Sequence, residues 1–258
     1  MDRPVIVLLA ALVLAGCGAM GAGPVAEVED VAPATFDATA AIDAAARSDA
    51  DRARDAGRKP GAVLEFVGVQ PGMTVVDLIA AGGWYTEVLA AAVGEGGRVY
   101  AQNPAMVLEF RDGANDKALT ARLAGNRLPN VIRLDAEITD LGIAPDSVDL
   151  VLTALNFHDV YNRDPAQATG MAQVVRAILK PGGVFAVIDH DGNAGADNAA
   201  LHRMQKSDAI ATLQMAGFSV AASDVLANPE DDRTQFVFAE GVRGQTDRFV
   251  LRATKPGG

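Results

Sequence analysis

The fold is decided by residues 75–86, which read Val-Val-Asp-Leu-Ile-Ala-Ala-Gly-Gly-Trp-Tyr-Thr. An apolar run from Met73 to Ile79 follows the turn Pro71-Gly72 and predicts a buried strand. A helical pattern then extends from Trp84 to Val93 and ends at Gly94. The stretch therefore predicts a strand, a tight turn and a helix, which is the repeating unit of an α/β fold.

The same alternation of strands and helices continues to the end of the chain. Further strands are predicted at 98–101, 130–134, 148–154, 184–188, 219–226 and 248–254, and further helices at 44–55, 117–124, 166–179 and 199–215. Only a long insertion at 228–245 separates the last two strands. Such alternation predicts helices on both faces of a parallel sheet. We therefore expect an α/β, Rossmann-like, doubly wound, seven-stranded and mostly parallel sheet with an antiparallel last strand and five or more helices.

Composition and charge exclude several classes of function. Half of the 258 residues are apolar, so the chain can bury the core of one large domain. Its net charge of −11 argues against nucleic acid and anionic lipid as partners, because both bind positively charged surfaces. Its single cysteine, Cys17, excludes an intramolecular disulfide and a cysteine-based zinc cluster. A small-molecule substrate is the expected partner, and the oligomeric state stays open.

The first residues have the pattern of a bacterial export signal. The apolar run Val5–Ala15 has eleven residues, whereas a permanent membrane helix needs about 20. It ends in Leu14-Ala15-Gly16-Cys17, which resembles the lipoprotein box and implies that Cys17 carries a lipid. The alternative is a buried free cysteine in an N-terminal helix.

This pattern predicts the domain organisation and the cellular location. We expect a lipoprotein signal peptide at 1–16, an acidic flexible tether at 17–43 and a single domain at 44–258. The first helix of the domain is predicted to end at Gly57 and Pro60. The lipid would hold the domain on the periplasmic side of a bacterial membrane, and it would be the only contact with the membrane.

The turn after the first strand resembles that of the class I S-adenosylmethionine-dependent methyltransferases. In that family an acid is followed at +2, +4 and +6 by glycines, and then by a helix with a threonine in its first turn. Asp77, Gly83 and Thr86 are in register with this pattern. Ile79 and Ala81 occupy the first two glycine positions, where glycine would let the cofactor approach the backbone closely.

The resemblance extends over residues 60–190. The segments 145–152 and 179–183 match the family's approach to the fourth strand and its turn into the fifth. A narrower resemblance, carried by 83–87 and 243–247 among other segments, is to exported bacterial lipoproteins regarded as predicted methyltransferases. Both resemblances imply the same fold, which the strand and helix pattern also predicts.

The resemblance implies S-adenosylmethionine as the cofactor and assigns residues to it. The family binds the ribose hydroxyls with an acid after the second strand, where this chain has Gln102 and Asn103. Asp135 is expected to accept a hydrogen bond from the adenine amine, and Asn156 to hold the donor or acceptor in line. The predicted cofactor site comprises Asp77, Gly82, Gly83, Thr86, Gln102, Asn103, Asp135, Ala136 and Asn156.

The three histidines follow the fourth and fifth strands, where a substrate would meet the methyl donor. Histidine accepts protons near neutral pH, so we predict His158 as the general base, oriented by Asp159. Tyr161 and His190 are expected to shape the acceptor site.

A metal ion is the alternative for the same histidines. The three histidines together with Asp159, Asp189 or Asp191 offer ligands for zinc or iron. The close-spaced signature of a metal-binding helix is absent from the sequence, and no metal site is predicted. A third interpretation is that these are loop histidines without a chemical role.

The sequence leaves two functions in competition. The first is a methyltransferase that acts on an unidentified small molecule. The second is a methyltransferase fold that binds another small ligand without methyl transfer. Ile79, Ala81 and the missing ribose acid favour the second, and so does the expected export, because S-adenosylmethionine is a cytoplasmic metabolite.

Overall fold

The computed structural model describes residues 36–257, so the predicted signal peptide and Cys17 lie outside the described residues. Seven strands form one sheet: β1 Thr74–Leu78, β2 Arg98–Asn103, β3 Val131–Asp135, β4 Val148–Ala154, β5 Leu179–His190, β6 Ser219–Ser223 and β7 Arg248–Thr254. Their order is β3-β2-β1-β4-β5-β7-β6, and β7 runs antiparallel to both neighbours. The doubly wound, seven-stranded sheet predicted from the sequence is confirmed.

Helices cover both faces of this sheet. They are α1 Ala38–Ala44, α2 Asp49–Arg52, α3 Asp55–Arg58, α4 Pro60–Val67, α5 Trp84–Val93, α6 Ala105–Leu123, α7 Phe157–Arg163, α8 Pro165–Ile178, α9 Asn198–Leu201 and α10 Lys206–Met215. Between residues 36 and 257, no helix has both the length and the apolar character that crossing a membrane requires.

The core consists of two apolar clusters, because successive strand residues point to opposite faces of a sheet. Val76 and Phe185 belong to the cluster that includes α8 and α10. Their neighbours Val75 and Ala186 belong to the cluster that includes α1, α4 and α5. The central strands are therefore buried on both sides, which explains their continuous apolar sequence.

The strand order predicts a ligand crevice at the carboxyl ends of β1 and β4. β1 pairs with β2 on one side and with β4 on the other, so the strand order reverses between β1 and β4. In open α/β sheets, ligands bind at such a switch point. The loops that follow Leu78 and Ala154 therefore flank the expected site.

The N-terminal boundary differs from the prediction. Residues 36–43 were assigned to the flexible tether, but Asp37 caps α1 and Ile42 is buried in the core. Pro60 was expected to end a helix, yet it begins α4, since proline is well suited to the first turn. The predicted helix 44–55 is replaced by the short helices α2 and α3.

Two further elements around the crevice were not predicted. Helix α7 directly follows β4 and carries the first histidine. The predicted helix 199–215 is interrupted between α9 and α10, where His202 has a left-handed backbone with φ 54°. A non-glycine residue rarely adopts this conformation, so the backbone at His202 is strained.

Candidate active site

The loop after β1, residues 79–83, has a backbone that normally requires glycine. Ile79, Ala81 and Gly83 have φ values of 59°, 50° and 80°. A left-handed conformation costs an L-residue roughly 1–2 kcal/mol, and a β-branched residue rarely adopts it. The loop thus has the conformation of a glycine-rich turn at three alternate positions, although glycine stands at only one of them.

Two buried amide side chains hold this strained loop in place. Gln102 Oε1 accepts a hydrogen bond from Ile79 N at 3.0 Å, and its Nε2 donates to Ala136 O at 2.6 Å. Asn103 Oδ1 accepts from Ala81 N at 2.7 Å, and its Nδ2 donates to Ala81 O at 3.1 Å. Both amides therefore satisfy buried backbone groups of the loop. These backbone hydrogen bonds differ from the ribose contact that the sequence predicted for Gln102 and Asn103.

A second buried pair fixes the helix that follows the loop. The Thr86 hydroxyl donates to Asp77 Oδ2 at 2.6 Å, and both side chains are buried. Burial raises the pKa of Asp77 to about 6, against the opposing effect of the Thr86 hydrogen bond. Asp77 and Thr86 thus join β1 to the first turn of α5 and position the loop between them.

Close packing explains the two glycines at the end of the loop. A Cβ on Gly83 would lie 2.9 Å from Leu119 Cδ1, and one on Gly82 would lie 3.0 Å from Ala118 Cβ. The Gly82 carbonyl accepts a hydrogen bond from Arg122 Nε at 2.9 Å. Helix α6 therefore approaches the loop more closely than a side chain at either position would allow.

Asn156 connects the loop to β4. Its Nδ2 donates to Ile79 O at 3.2 Å and to Ala154 O at 2.8 Å. The side chain is half-buried and lies at the switch point between β1 and β4. Asn156 is thus the polar group that spans the expected crevice.

The histidines form a separate cluster beyond β4 and β5. His158 Nδ1 lies 2.7 Å from Asp189 Oδ1, and His158 Nε2 lies 3.2 Å from Asp159 Oδ1. His202 Nδ1 lies 3.1 Å from the same Asp159 oxygen and 3.4 Å from His158 Nε2. His190 lies at the edge of the cluster, with its ring centroid 5.9 Å from that of His158.

Asp189 is the buried centre of the histidine cluster. Besides the ring of His158, it accepts hydrogen bonds from the backbone N of His158 and of His190, both at 2.8 Å. Burial opposes a charge on His158, but the carboxylates of Asp189 and Asp159 outweigh it and raise its pKa to about 10. Burial lowers the pKa of His190 to about 3, so the two rings differ in charge at neutral pH.

The insertion before β7 covers one side of the cluster. The rings of Phe236 and Phe238 lie 5.4 and 5.8 Å from the ring of His202. The insertion is tied down by Arg203, which is fully buried and donates to both carboxylate oxygens of Asp231 at 2.8 and 3.2 Å. Arg203 directly follows His202, so the same contact holds this histidine in place.

Two curated relatives of the chain are methyltransferases. No protein-family model matches the chain. It is 32% identical over 126 residues to an uncharacterized methyltransferase of Synechocystis sp., covering 49% of this chain and 51% of the relative. It is 30% identical over 128 residues to the ubiquinone/menaquinone biosynthesis C-methyltransferase UbiE of Shewanella pealeana, covering 49% and 46%. The chain thus spans about half the length of the curated relatives it matches.

A solved structure superposes on most of the chain. A SAM-dependent methyltransferase from Aquifex aeolicus superposes with a TM-score of 0.60 at 20% identity, covering 85% of this chain and 99% of the other. The chain has the class I methyltransferase fold. In this fold the loop after β1 and the histidine cluster occupy the two halves of one sheet edge.

The methyltransferase fold brings most of the predicted site residues together, with two exceptions. Around the loop it gathers Asp77, Gly82, Gly83, Thr86, Gln102, Asn103, Ala136 and Asn156. Asp135 instead lies exposed and receives Arg133 Nε at 2.9 Å on both carboxylate oxygens. Tyr161 packs against the core, and its polar partner is Asp208 in α10.

Other residues of the site were missed or given a different role. Asp189, rather than Asp159, receives the Nδ1 side of His158 and orients the ring. Asp189 is the next-to-last residue of β5, directly before His190, and this position near the strand end was the available signal. Phe236 and Phe238 lie in the insertion, which no sequence pattern connected to His202.

Proposed function

We propose that this protein is an S-adenosylmethionine-dependent methyltransferase that acts on a small molecule. The observation that carries the proposal is the left-handed backbone at Ile79, Ala81 and Gly83. Two of these residues adopt it at a cost, and strained backbone is retained mainly at sites where it serves a function. Gln102 and Asn103 supply the hydrogen bonds that keep the loop open toward the sheet edge.

The proposed cofactor fits the first half of the sheet edge. The backbone of loop 79–83 and the side chain of Asn156 would hold it at the switch point between β1 and β4. S-adenosylmethionine supplies an electrophilic methyl group when bound. The chain must then hold the acceptor in line with that group and stabilise its reacting atom.

The acceptor is placed by this proposal at the histidine cluster, next to the end of β4. The general-base role of His158 stays a prediction. The carboxylates beside the ring limit this role, because they stabilise the protonated form of His158. A ring that keeps its proton at neutral pH donates a hydrogen bond and orients an acceptor, but it takes up no further proton. His158 would act as a base only after losing that proton.

Ligand titration of the full chain tests the cofactor proposal. S-adenosylmethionine or S-adenosylhomocysteine at one hundred times its dissociation constant should stabilise the fold by about 2.7 kcal/mol. Transfer of labelled methyl to a panel of phenols, quinols, amines and thiols then identifies the acceptor class. Failure of both compounds to bind would contradict the proposal.

A second candidate is a ligand-binding protein without methyl transfer. It is favoured by Gln102 and Asn103, whose amides are engaged with the backbone where the resemblance places a ribose-binding acid. Adenosine and other nucleosides, titrated in parallel, separate the candidates. Binding of these ligands without binding of S-adenosylmethionine would favour the second.

For the location of the protein, we infer a lipoprotein of the bacterial cell envelope, anchored through Cys17 on the periplasmic side. The support is the Leu-Ala-Gly-Cys sequence at 14–17 after an apolar run. Mass spectrometry of the membrane fraction should find an acylated N-terminal cysteine. An intact Met1 on a cytoplasmic protein would overturn the inference.

A further inference from the structure

Three ligand atoms converge at the exposed side of the histidine cluster. The distances among His158 Nε2, Asp159 Oδ1 and His202 Nδ1 are 3.1, 3.2 and 3.4 Å. Zinc binds nitrogen and oxygen ligands at about 2.0–2.1 Å, which gives a tetrahedral site edges of about 3.3–3.4 Å. An octahedral site with the same bond lengths has edges of about 2.8–3.0 Å. The observed triangle is closer to the face of a tetrahedron.

The hydrogen-bonding pattern leaves a position in this triangle that either a proton or a metal ion can fill. Asp189 is buried and its carboxylate accepts hydrogen bonds, so the Nδ1 side of His158 is the donor in that contact. When the ring is neutral, Nε2 carries a lone pair that is directed at a carboxylate oxygen and at a second ring nitrogen; when the ring is protonated, Nε2 donates to the carboxylate instead. These groups come together favourably only with an extra proton or a metal ion between them.

The surroundings match those of a metal ligand. Histidines that bind metals usually donate the other ring nitrogen to a carboxylate, which fixes the tautomer and the ring orientation. Asp189 plays this part for His158 at 2.7 Å and is itself held by two backbone N–H groups. His202 is held by its strained backbone and by two phenylalanine rings.

We propose that His158, Asp159 and His202 bind a zinc ion, with His158 Nε2, an Asp159 oxygen and His202 Nδ1 as ligands. Two imidazoles and one carboxylate form a ligand set that zinc prefers and that magnesium and calcium do not. Three protein ligands leave the fourth tetrahedral position open to an oxygen from a small molecule. Asp159 is half exposed, with 50% of its side chain accessible, so an ion can enter from solvent.

This site reverses the expectation from the sequence, which predicted no metal. The ligands come from two separate parts of the chain. His158 and Asp159 lie in α7, and His202 lies in the break between α9 and α10. No close spacing along the chain marks such a set. The site lies where the proposed function places the methyl acceptor and shares His158 with it. None of its atoms belongs to loop 79–83, so metal binding and cofactor binding can be tested separately.

Cobalt titration of the metal-stripped full chain tests the site, because tetrahedral cobalt absorbs visible light strongly and zinc then displaces it. We expect one equivalent of cobalt to bind with this spectrum. Loss of a residue that only supports a metal ligand weakens metal binding by about 10–100-fold. His202→Ala and Asp159→Asn each remove a ligand itself, so each should weaken cobalt binding by at least that factor. Glu230→Gln, an exposed acid of the insertion, is the matched control and should bind as the wild type does.

The design separates the outcomes. Both ligand variants alter accessible side chains, and thermal unfolding verifies that they remain folded. Absence of cobalt binding to the wild type, or wild-type binding by the double variant His202→Ala, Asp159→Asn, would overturn the proposal. Titration of the same variants with S-adenosylhomocysteine keeps the two proposals distinct, because zinc binding is expected to fail without loss of cofactor binding.

Discussion

The two halves of the sheet edge use their polar side chains in opposite ways. In the half after β1 and β2, the amides of Gln102 and Asn103 are fully occupied with the backbone of loop 79–83. In the half after β4 and β5, His158, Asp159 and His202 face one another around a position that a proton or a metal ion can fill. The polar groups of the first half are satisfied by the backbone, and those of the second half are satisfied by a proton or a bound cation.

The difference shows that the loop half supplies the shape of the site, whereas the histidine half supplies its chemically reactive groups. A loop that is held by side chains presents backbone and space to a ligand, and its specificity comes from its conformation. A cluster of ligand atoms that face one another offers a position for a cation, because their lone pairs repel until a proton or a metal ion lies between them. We therefore expect variants in the two halves to have separate effects on ligand affinity.

The largest effect should come from Arg203, which anchors the insertion over the histidine half. Arg203→Met leaves Asp231 buried without its partner, so we expect a loss of about 3–5 kcal/mol in the free energy of unfolding. Urea denaturation measures the loss. Lys206→Met breaks an exposed pair with Asp224 and should lose less than about 1 kcal/mol. Equal losses in both would show that the insertion is not anchored through Arg203.

A smaller effect concerns the buried carboxylate below the loop. The folded-state pKa of Asp77 is raised to about 6 by burial, so the native state binds more protons than the unfolded state between about pH 4 and 6. Stability should therefore fall as pH rises through this window, by about 2 kcal/mol in total. Asp77→Asn should lack this decline.

Comparison of unfolding free energies at pH 4 and 7 isolates the Asp77 contribution. Other groups titrate over this range, and they cancel in the difference between wild type and variant. Asp135→Asn, at an exposed carboxylate, is the control for a loss of charge at the same sheet edge. An identical pH dependence of wild type and Asp77→Asn would contradict the burial of a charged carboxylate below the loop.

The smallest effect should come from relieving backbone strain in the loop. Ala81→Gly removes the penalty of the left-handed conformation and should raise the free energy of unfolding by about 0.5–1 kcal/mol. Ala80→Gly, one residue earlier and outside the set of left-handed residues, should lower it by a similar amount. Thermal unfolding measures both. Destabilisation by both variants would mean that the loop at Ala81 is not strained.

The sequence predicted the sheet well because burial on both faces makes the central strands apolar throughout. Trp84–Val93 and Val148–Ala154 were predicted to the residue, since glycines or polar residues bound them. The start of the domain was missed because α1 is mostly alanine, and only its packing reveals that Ile42 belongs to the core.

The site was harder to predict because its contacts depend on side-chain geometry. The strand ends correctly identified Gln102, Asn103 and His158 as lying at the sheet edge. Position alone did not reveal that both amides point into the loop or that Asp189 lies behind His158. The role of His202 depends on the break between α9 and α10, where helical periodicity predicted an unbroken helix.

Calorimetric titration of S-adenosylhomocysteine into three proteins tests the central comparison most directly. We expect one molecule to bind the wild type and His202→Ala equally. Gln102→Ala should bind at least about tenfold more weakly, because loop 79–83 loses the hydrogen bond that holds Ile79 and its strained backbone can relax. Relaxation of one left-handed residue releases roughly 1–2 kcal/mol, which must be restored on binding, and about 1.4 kcal/mol corresponds to a tenfold change in affinity. No binding to the wild type, or equal weakening in the two variants, would contradict a cofactor site at loop 79–83 that does not depend on the histidine half.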